Sequence, residues 1–321
     1  MSSSPAGCQR TTPDPAELDE AARAVSFAAD AGDAARTGVL LVNHGSRSET
    51  WRRMLLAVHE EVAEDLLALP EVAQVRTAFM EYTEPSIASQ LRAFDEDGIE
   101  RVIVVPLLLT ISDHTFDDIP TICGLASDPD RIAALEKDRI DIYQARAELS
   151  FAPLLDFSGL VRTNVAARIR AMLGREPESS GLRTGLVLVG YGSAEFDDDW
   201  NRFFRETRTF AESDLGIAAS AHAWCGHIVS YRRKPIMDAI EDLLLRTDRV
   251  LVVALLVAYD PMFQERIIGR AVARCSTPER VLYRADSILP EPAVGRWVID
   301  ITRSTLAMER RMLARNGSDV R

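Results

Sequence analysis

The chain has 321 residues and a formal net charge of −12, from 37 Lys and Arg against 49 Asp and Glu. A chain of this length predicts about two domains, and its 47% of hydrophobic residues can bury a core. The acidic balance argues against binding to nucleic acid or to an anionic membrane surface, because phosphates repel negative charge. Four widely spaced cysteines, no bilayer-length apolar run and no signal-like apolar stretch in Met1–Arg10 favour a cytoplasmic protein.

Residues 1–36 are rich in Ser, Pro, Ala and Asp, a composition that predicts a flexible N-terminal tail. Ordered structure is expected from Gly38, where a continuously apolar strand runs to Asn43 and ends in the turn His44-Gly45-Ser46-Arg47. Apolar residues then recur at helical spacing from Trp51 to Leu69, which predicts an amphipathic helix.

Strands and helices continue to alternate after this helix. Val75–Met80 predicts a second strand, Pro85–Phe94 a second helix, Arg101–Leu109 a third strand and Ile140–Gln144 a fourth. Alternation of this kind indicates an α/β fold with a parallel sheet.

The same order of landmarks occurs twice in the chain. The apolar strand and turn ending at Gly45 recur at Gly192 with an offset of 147, and the strand that begins at Arg101 recurs at Arg249 with an offset of 148. Trp51 and Trp200 differ by 149. The repeat predicts two duplicated α/β units, residues 37–175 and 184–321, joined by a polar linker around Gly174–Arg183.

Polar residues follow the predicted strands of the first unit. They are His44, Ser46 and Arg47 after the first strand, Glu81 and Glu84 after the second, and Asp113, His114, Asp117 and Asp118 after the third. Ligands of parallel α/β sheets bind beyond the carboxyl ends of strands, and two histidines with a carboxylate suit a divalent metal or proton transfer. The alternative is that each histidine only caps a turn and that the aspartates complement a helix N-terminus.

Three of these stretches, Val42–Arg47, Phe79–Ile87 and Val105–Pro120, are similar to the signature stretches of the sirohydrochlorin chelatases. These ATP-independent class II enzymes insert cobalt, iron or nickel into a tetrapyrrole. The resemblance covers residues 37–150 well and the second unit in outline. It implies a chelatase-like fold, with two parallel-sheet units facing each other across a cleft.

The resemblance also implies the site and its substrates. His44 and His114 would be the catalytic, metal-handling pair, and Glu81 the assisting carboxylate. The metal ion (Co²⁺ first, Fe²⁺ or Ni²⁺ as alternatives) would be a substrate, with no nucleotide required. The macrocycle would be sirohydrochlorin or a related tetrapyrrole, and the protein a monomer or homodimer. The functional alternative is a non-catalytic carrier of metal or tetrapyrrole that keeps the fold.

The second unit departs from this pattern. Tyr191 stands where His44 stands in the first unit, and Met262 where His114 stands, so the second unit is expected to form the opposing wall of the cleft. His222, Cys225 and His227 lie within six residues and are a candidate second metal site, although their spacing matches no standard structural zinc motif.

A polycarboxylate macrocycle needs basic and polar contacts in an otherwise acidic protein. The predicted substrate-binding residues are Ser46, Arg47, Tyr191, Arg232 and Arg233; Arg52, Arg53 and Lys234 extend the basic clusters. Arginine suits carboxylates because its planar fork binds both oxygens. The alternative is that these arginines are the solvated faces of helices, and that Tyr191 packs in the core.

Overall fold

The computed structural model describes residues 36–108, 117–153, 157–174 and 181–318. The predicted tail up to residue 35 and the predicted metal ligand His114 lie outside these ranges. Within them, no helix is long and apolar enough to cross a membrane.

The first sheet has four parallel strands. They are β1 (Thr37–Asn43), β2 (Val72–Phe79), β3 (Arg101–Pro106) and β4 (Glu148–Phe151), in the order β2-β1-β3-β4. Every residue of β1 is buried, as expected for an apolar central strand covered on both faces.

The prediction of a strand at Ile140–Gln144 is wrong, because that segment has irregular conformation and its residues are partly buried or exposed. Its Tyr143 amide donates to the Ile122 carbonyl oxygen (2.9 Å) rather than to a strand. The fourth strand begins at Glu148, whose amide donates to the Glu100 carbonyl oxygen (2.9 Å) beside β3.

Helices connect the strands of the first unit and cover the sheet. They are α1 (Glu49–Leu67), α2 (Ile87–Glu96), α3 (Ile119–Ile122), α4 (Pro129–Lys137) and α5 (Phe157–Leu173). Helix α1 begins where the Ser48 hydroxyl accepts a hydrogen bond from the Trp51 amide (3.4 Å). It buries the apolar face that the spacing predicts, including Leu55, Val58 and Val62.

The second sheet repeats the topology of the first. Strands β5 (Thr184–Gly190), β6 (Ala219–Trp224), β7 (Arg249–Ala254) and β8 (Val281–Tyr283) are parallel in the order β6-β5-β7-β8. The elements around it are α6 (Asp197–Asp214), α7 (Lys234–Leu244), a π-helical segment (Met262–Gly269), α8 (Arg270–Val272) and α9 (Pro292–Ser318). The α/β fold of two duplicated parallel-sheet units is therefore confirmed.

The two units exchange one helix in each direction. Helix α5 follows β4 in the chain, yet it packs against α6 and β7 of the second unit. There the buried Arg168 donates to the Ala254 carbonyl oxygen (2.7 Å). Helix α9 follows the second sheet but packs against α1 and β3 of the first unit, with Glu309 3.8 Å from Arg101.

This exchange gives the two units a common apolar core. One cluster of buried side chains contains Leu41 from β1, Ile169 from α5, Leu188 from β5 and Val298 from α9. Two smaller clusters each belong to one unit. The sheets are therefore parts of one packed body, which fixes the carboxyl edges of β1 and β5 relative to each other.

Candidate functional site

The carboxyl ends of β1 and β2 are held together beyond the last strand residues. The Met80 amide donates to the Asn43 carbonyl oxygen (2.8 Å) and the Glu81 amide to the His44 carbonyl oxygen (3.1 Å). Gly45 has a φ of +98°, and a Cβ there would lie 2.0 Å from the Glu81 carbonyl oxygen. Glycine is therefore required for the close approach that places His44 beside Glu81.

His44 and Glu81 form a half-buried pair at this edge. The Nε2 atom of His44 lies 3.2 Å from Oε1 of Glu81, with the two side chains 32% and 15% exposed. The Nδ1 atom lies 3.1 Å from the Gly45 carbonyl oxygen. A carbonyl oxygen only accepts, so this contact assigns the proton to Nδ1. In the neutral ring, the Nε2 lone pair then faces a carboxylate oxygen, an arrangement that a proton or a cation between them would stabilise.

Tyr82 follows Glu81 and extends the site towards solvent. It has a φ of 69°, is 57% exposed, and its ring centroid lies 6.3 Å from that of His44. The Arg47 guanidinium lies 5.3 Å from the same ring, a cation–π distance. Burial raises the pKa of Tyr82, and the charge of Glu81 and a hydrogen bond to it raise it further.

The turn after β1 touches the second unit. The Ser46 hydroxyl donates to Oδ2 of Asp260 (3.3 Å), which lies in the loop after β7. Arg52 supports the turn by donating to the Ser46 carbonyl oxygen (2.7 Å). Arg53 points away and pairs with Glu49 on the exposed face of α1, as the solvated-face alternative predicted. The carboxyl edges of the two sheets therefore face each other, with Ser46 in contact with the second unit.

The equivalent edge of the second unit repeats the backbone but not the side chains. The Cys225 amide donates to the Gly190 carbonyl oxygen (2.9 Å) and the Gly226 amide to the Tyr191 carbonyl oxygen (3.0 Å). Tyr191 thus occupies the position of His44, and Gly226 that of Glu81. A Cβ on Gly226 would lie 2.4 Å from the Tyr191 carbonyl oxygen and 2.8 Å from Cδ1 of its ring, so Tyr191 leaves no room there for a carboxylate side chain.

Tyr191 belongs to a group of aromatic side chains at this edge. Its hydroxyl lies 3.4 Å from that of Tyr231, and its ring lies 5.6 Å from Phe263 and 5.4 Å from His227. Burial, followed by the hydrogen bond to Tyr231, raises the pKa of Tyr191. Tyr231 and Phe263 were not among the predicted site residues. Tyr231 directly precedes the basic cluster at Arg232 and Arg233, and this adjacency was the one signal available.

The structure does not assemble the predicted second metal site. Among the residues it describes, it shows no group of three His, Cys, Asp or Glu side chains able to hold a metal ion. His222 stacks on Phe204 (5.0 Å between ring centroids), Cys225 is fully buried in the core of the second unit, and His227 is exposed. The side chains separate because successive strand residues point to opposite faces and the chain turns after Trp224.

Other predicted polar residues have structural partners. Asp117 and Asp118 both pair with Arg131, whose nitrogens lie 3.4 Å and 3.2 Å from their carboxylates. Glu84 accepts from the Ser86 amide (2.6 Å) at the start of α2. Whether His114 joins His44 and Glu81 stays a prediction, because His114 lies outside the described residues.

Comparison with known proteins gives matches to chelatases. A family model described as CbiX matches residues 38–172. The chain is 30% identical over 144 residues to a sirohydrochlorin cobaltochelatase of Methanopyrus kandleri. The aligned residues cover 43% of this chain and 98% of that relative.

Solved structures give the same likeness across both units. SirB from Bacillus subtilis with Fe³⁺ has a TM-score of 0.60 at 20% identity and covers 86% of this chain and 97% of its own. The sirohydrochlorin chelatase SirB from B. subtilis subspecies spizizenii in complex with cobalt has a TM-score of 0.56 at 19% identity and covers 84% and 95%. At these identities the likeness establishes the fold.

Proposed function

This chain belongs to the sirohydrochlorin chelatase family, and from that premise we propose that it inserts a divalent metal ion into sirohydrochlorin or a related tetrapyrrole without ATP. Cobalt is the first candidate, because the Methanopyrus relative is named a cobaltochelatase; iron and nickel are the alternatives. The observation that carries the proposal is the pair of His44 Nε2 and Glu81 Oε1, 3.2 Å apart at the edge that faces the second unit.

The pair is suited to hold the incoming metal ion. A divalent ion of this kind lies about 2.0 to 2.2 Å from imidazole nitrogen and carboxylate oxygen, so two adjacent ligands of one ion are roughly 2.9 to 3.4 Å apart. The separation of His44 and Glu81 falls within this range. The Nδ1 contact with Gly45 orients the ring for coordination through Nε2. We propose that His114 completes this set.

The same groups can accept the protons that metallation releases. Inserting a divalent ion displaces the pyrrole N–H protons of the macrocycle, and these need a base close to the metal. A neutral imidazole and a carboxylate both accept protons near neutral pH. We therefore assign His44 and Glu81 two roles, metal delivery and proton acceptance.

The substrate contacts proposed are those at the facing edges. Ser46 and Arg47 lie in the turn after β1, and Tyr191 lies opposite on the second unit. Arg232 is exposed and Arg233 directly precedes α7, which leaves their guanidinium groups suited to peripheral carboxylates of the macrocycle.

We also propose that the protein works in a reducing compartment, the cytoplasm. Cys123, Cys225 and Cys275 are buried free thiols. Burial raises the pKa of Cys123 and of Cys225 to about 12, which keeps both as unreactive thiols.

The test is a metallation assay. The purified protein is mixed with metal-free sirohydrochlorin and Co²⁺, and the absorption spectrum of the macrocycle is followed; Fe²⁺ and Ni²⁺ are then compared. His44→Gln is expected to lower the rate by about 100-fold or more, because it removes a metal ligand and a base. His222→Gln is the matched control and should keep the wild-type rate.

Three outcomes would count against this function. A wild-type rate no faster than the reaction without protein would overturn it, as would full activity of His44→Gln. Tight binding of the macrocycle without turnover would favour the carrier alternative.

A further inference from the structure

Three aromatic side chains of the second unit come together from three separate connections that follow its strands. Tyr191 follows β5, Tyr231 follows the short 3-10 helix after β6, and Phe263 lies in the π-helical segment after β7. Besides the contacts of Tyr191 with both, the rings of Tyr231 and Phe263 lie 6.3 Å apart. We call these three residues the aromatic wall.

The aromatic wall is open to solvent on one side. Tyr231 is 41% exposed, and Tyr191 and Phe263 are half-buried. A tyrosine that serves only the core would be more deeply covered. Exposed aromatic surface at a strand-end edge indicates a binding surface.

The backbone that presents Tyr231 is in an unfavourable conformation. Ser230 and Tyr231 have φ values of 50° and 56°, in the left-handed region. The turn is held by hydrogen bonds from the Tyr231 amide to the Gly226 carbonyl oxygen (3.0 Å) and from the Ser230 amide to that of His227 (2.7 Å). Strain of this kind at non-glycine residues is concentrated at ligand-binding sites, because elsewhere no gain offsets it.

Tyr82 shows the same combination on the opposite unit, where it is exposed and has a positive φ. The contact of Ser46 with Asp260 holds the two edges face to face. One side of the gap thus carries His44 and Glu81, and the other side carries the three aromatic rings, with Asp260 and His227 beside them.

From this asymmetry we propose that the aromatic wall of Tyr191, Tyr231 and Phe263 binds the face of a flat conjugated macrocycle that is turned away from His44. The inference rests on the proposed function and adds a division of the two faces. One face meets the metal-delivering pair, and the other contacts rings that already pack against one another, tilted by 67° and 45°, and that therefore lose little entropy on binding. Arg232 and Arg233 follow Tyr231 directly in the chain, and Arg232 is exposed, so both could pair with carboxylates that project from the macrocycle.

The test separates macrocycle binding from metal handling. Tyr231→Leu, Phe263→Leu and the double variant are compared with wild type, with Phe210→Leu as the matched control. Phe210 is a half-buried aromatic residue of the same unit, and it packs against Arg162 on α5. Each wall substitution is expected to weaken binding of metal-free sirohydrochlorin about 3- to 10-fold, measured by quenching of protein fluorescence. The double variant is expected to raise KM further while Co²⁺ affinity, measured by calorimetry, and kcat stay within about 2-fold.

The outcomes distinguish this inference from the proposed function. If wild type metallates the macrocycle and the double variant, with wild-type thermal stability, binds it as tightly as wild type, the wall has no such role. If wild type neither binds nor metallates sirohydrochlorin, the proposed function itself fails. Because a loss of fold could mimic weak binding, Tyr231→Phe serves as a second variant: it keeps the ring and should retain wild-type affinity, whereas a hydroxyl-dependent role would make it as weak as Tyr231→Leu.

Discussion

The two units end their central strands with the same backbone hydrogen bonds and with different chemistry. In the first unit the paired positions carry His44 and Glu81, whose side chains meet at 3.2 Å. In the second they carry Tyr191 and Gly226, and the tyrosine ring takes the space that a carboxylate would need. The duplicated fold therefore supplies two equivalent edges. One carries the His44–Glu81 pair, and at the other Tyr191 and Gly226 take these positions beside Tyr231 and Phe263.

The largest expected effect concerns Glu81, the position where the units differ most. Glu81→Gln removes the negative charge while keeping the size of the side chain. We expect the rate of metallation to fall about 100-fold or more, since both metal attraction and proton acceptance need the carboxylate. The measurement is kcat/KM for Co²⁺ with sirohydrochlorin in excess.

The matched control for Glu81→Gln is Glu84→Gln on the same loop. Glu84 accepts a hydrogen bond from the Ser86 amide at the start of α2 and lies outside the proposed site. Glu84→Gln should keep the wild-type rate. If both variants lost the same fraction of the metallation rate, the conformation of the loop, and not the Glu81 carboxylate, would account for the chemical difference between the two units.

The second prediction asks whether the two units are independent. Ile169 lies on α5, which packs on the second unit, and Leu306 lies on α9, which packs on the first. Both side chains are buried in the apolar cluster that the two units share. Ile169→Ala and Leu306→Ala should each lower the free energy of unfolding by about 2 to 5 kcal/mol. Each should shift one cooperative denaturation curve for the whole chain.

The control is Leu245→Ala, at an 86% exposed position, which should change the free energy of unfolding by no more than about 0.5 kcal/mol. Two separate transitions, with only one of them shifted, would contradict the shared core.

The third prediction compares equivalent glycines. Gly45 and Gly192 have φ values of +98° and +83°. A Cβ on Gly45 would lie 2.0 Å from the Glu81 carbonyl oxygen, which is backbone. One on Gly192 would lie 2.4 Å from Cδ1 of Ile228 and 2.9 Å from Cε3 of Trp224, both side-chain atoms. Gly192→Ala should cost about 1 to 3 kcal/mol of stability. Gly45→Ala should cost more and also abolish metallation, because it separates His44 from Glu81. Comparable melting temperatures and activities would refute this difference between the edges.

Local patterns in the sequence predicted the features that depend on local chemistry. The apolar run of β1, the turn at His44 and the repeat offsets gave the α/β class and the duplication. The strand-end rule placed His44 and Glu81 at one edge, where the structure brings them together. Tyr191 at the position of His44 was also recognised from the repeat alone.

Features that depend on long-range packing could not be read from the sequence. An amphipathic helix shows that it buries one face but not which sheet receives it, so the exchange of α5 and α9 was not predicted. The apolar and β-branched residues of Ile140–Gln144 resembled a strand, but they pack in irregular conformation before β4. Tyr231 and Phe263 join Tyr191 only because three loops converge. The cluster of His222, Cys225 and His227 is close in sequence, yet its side chains point apart.

The last prediction concerns how each unit ties its outer strand to a helix. In the first unit the carboxylate of Asp95, at the end of α2, accepts from the amides of Arg146 (2.9 Å) and Ala147 (3.1 Å) just before β4. In the second unit the direction is reversed: the Arg280 side chain, just before β8, donates to the Leu244 carbonyl oxygen (3.2 Å) at the end of α7. The Asp95 tie depends on a group that titrates in mild acid and the Arg280 tie does not, although Glu241 on α7 also accepts from the Ser276 amide (2.6 Å) ahead of β8.

Acid should therefore weaken the first tie and leave the second unchanged. Burial alone would raise the pKa of Asp95, but the hydrogen bonds from Arg146, Tyr143 and Ala147 outweigh it and lower the pKa below 3.8. A lowered pKa means that the unfolded chain binds the proton more readily, so this stabilisation is present above about pH 4 and is lost as pH falls through the folded pKa.

Asp95→Asn should cost about 1.5 to 3 kcal/mol of stability at pH 7. It should also flatten the fall in melting temperature below about pH 4 relative to wild type. Parallel melting curves for the two proteins across that range would show that Asp95 does not govern the acid sensitivity of the first unit.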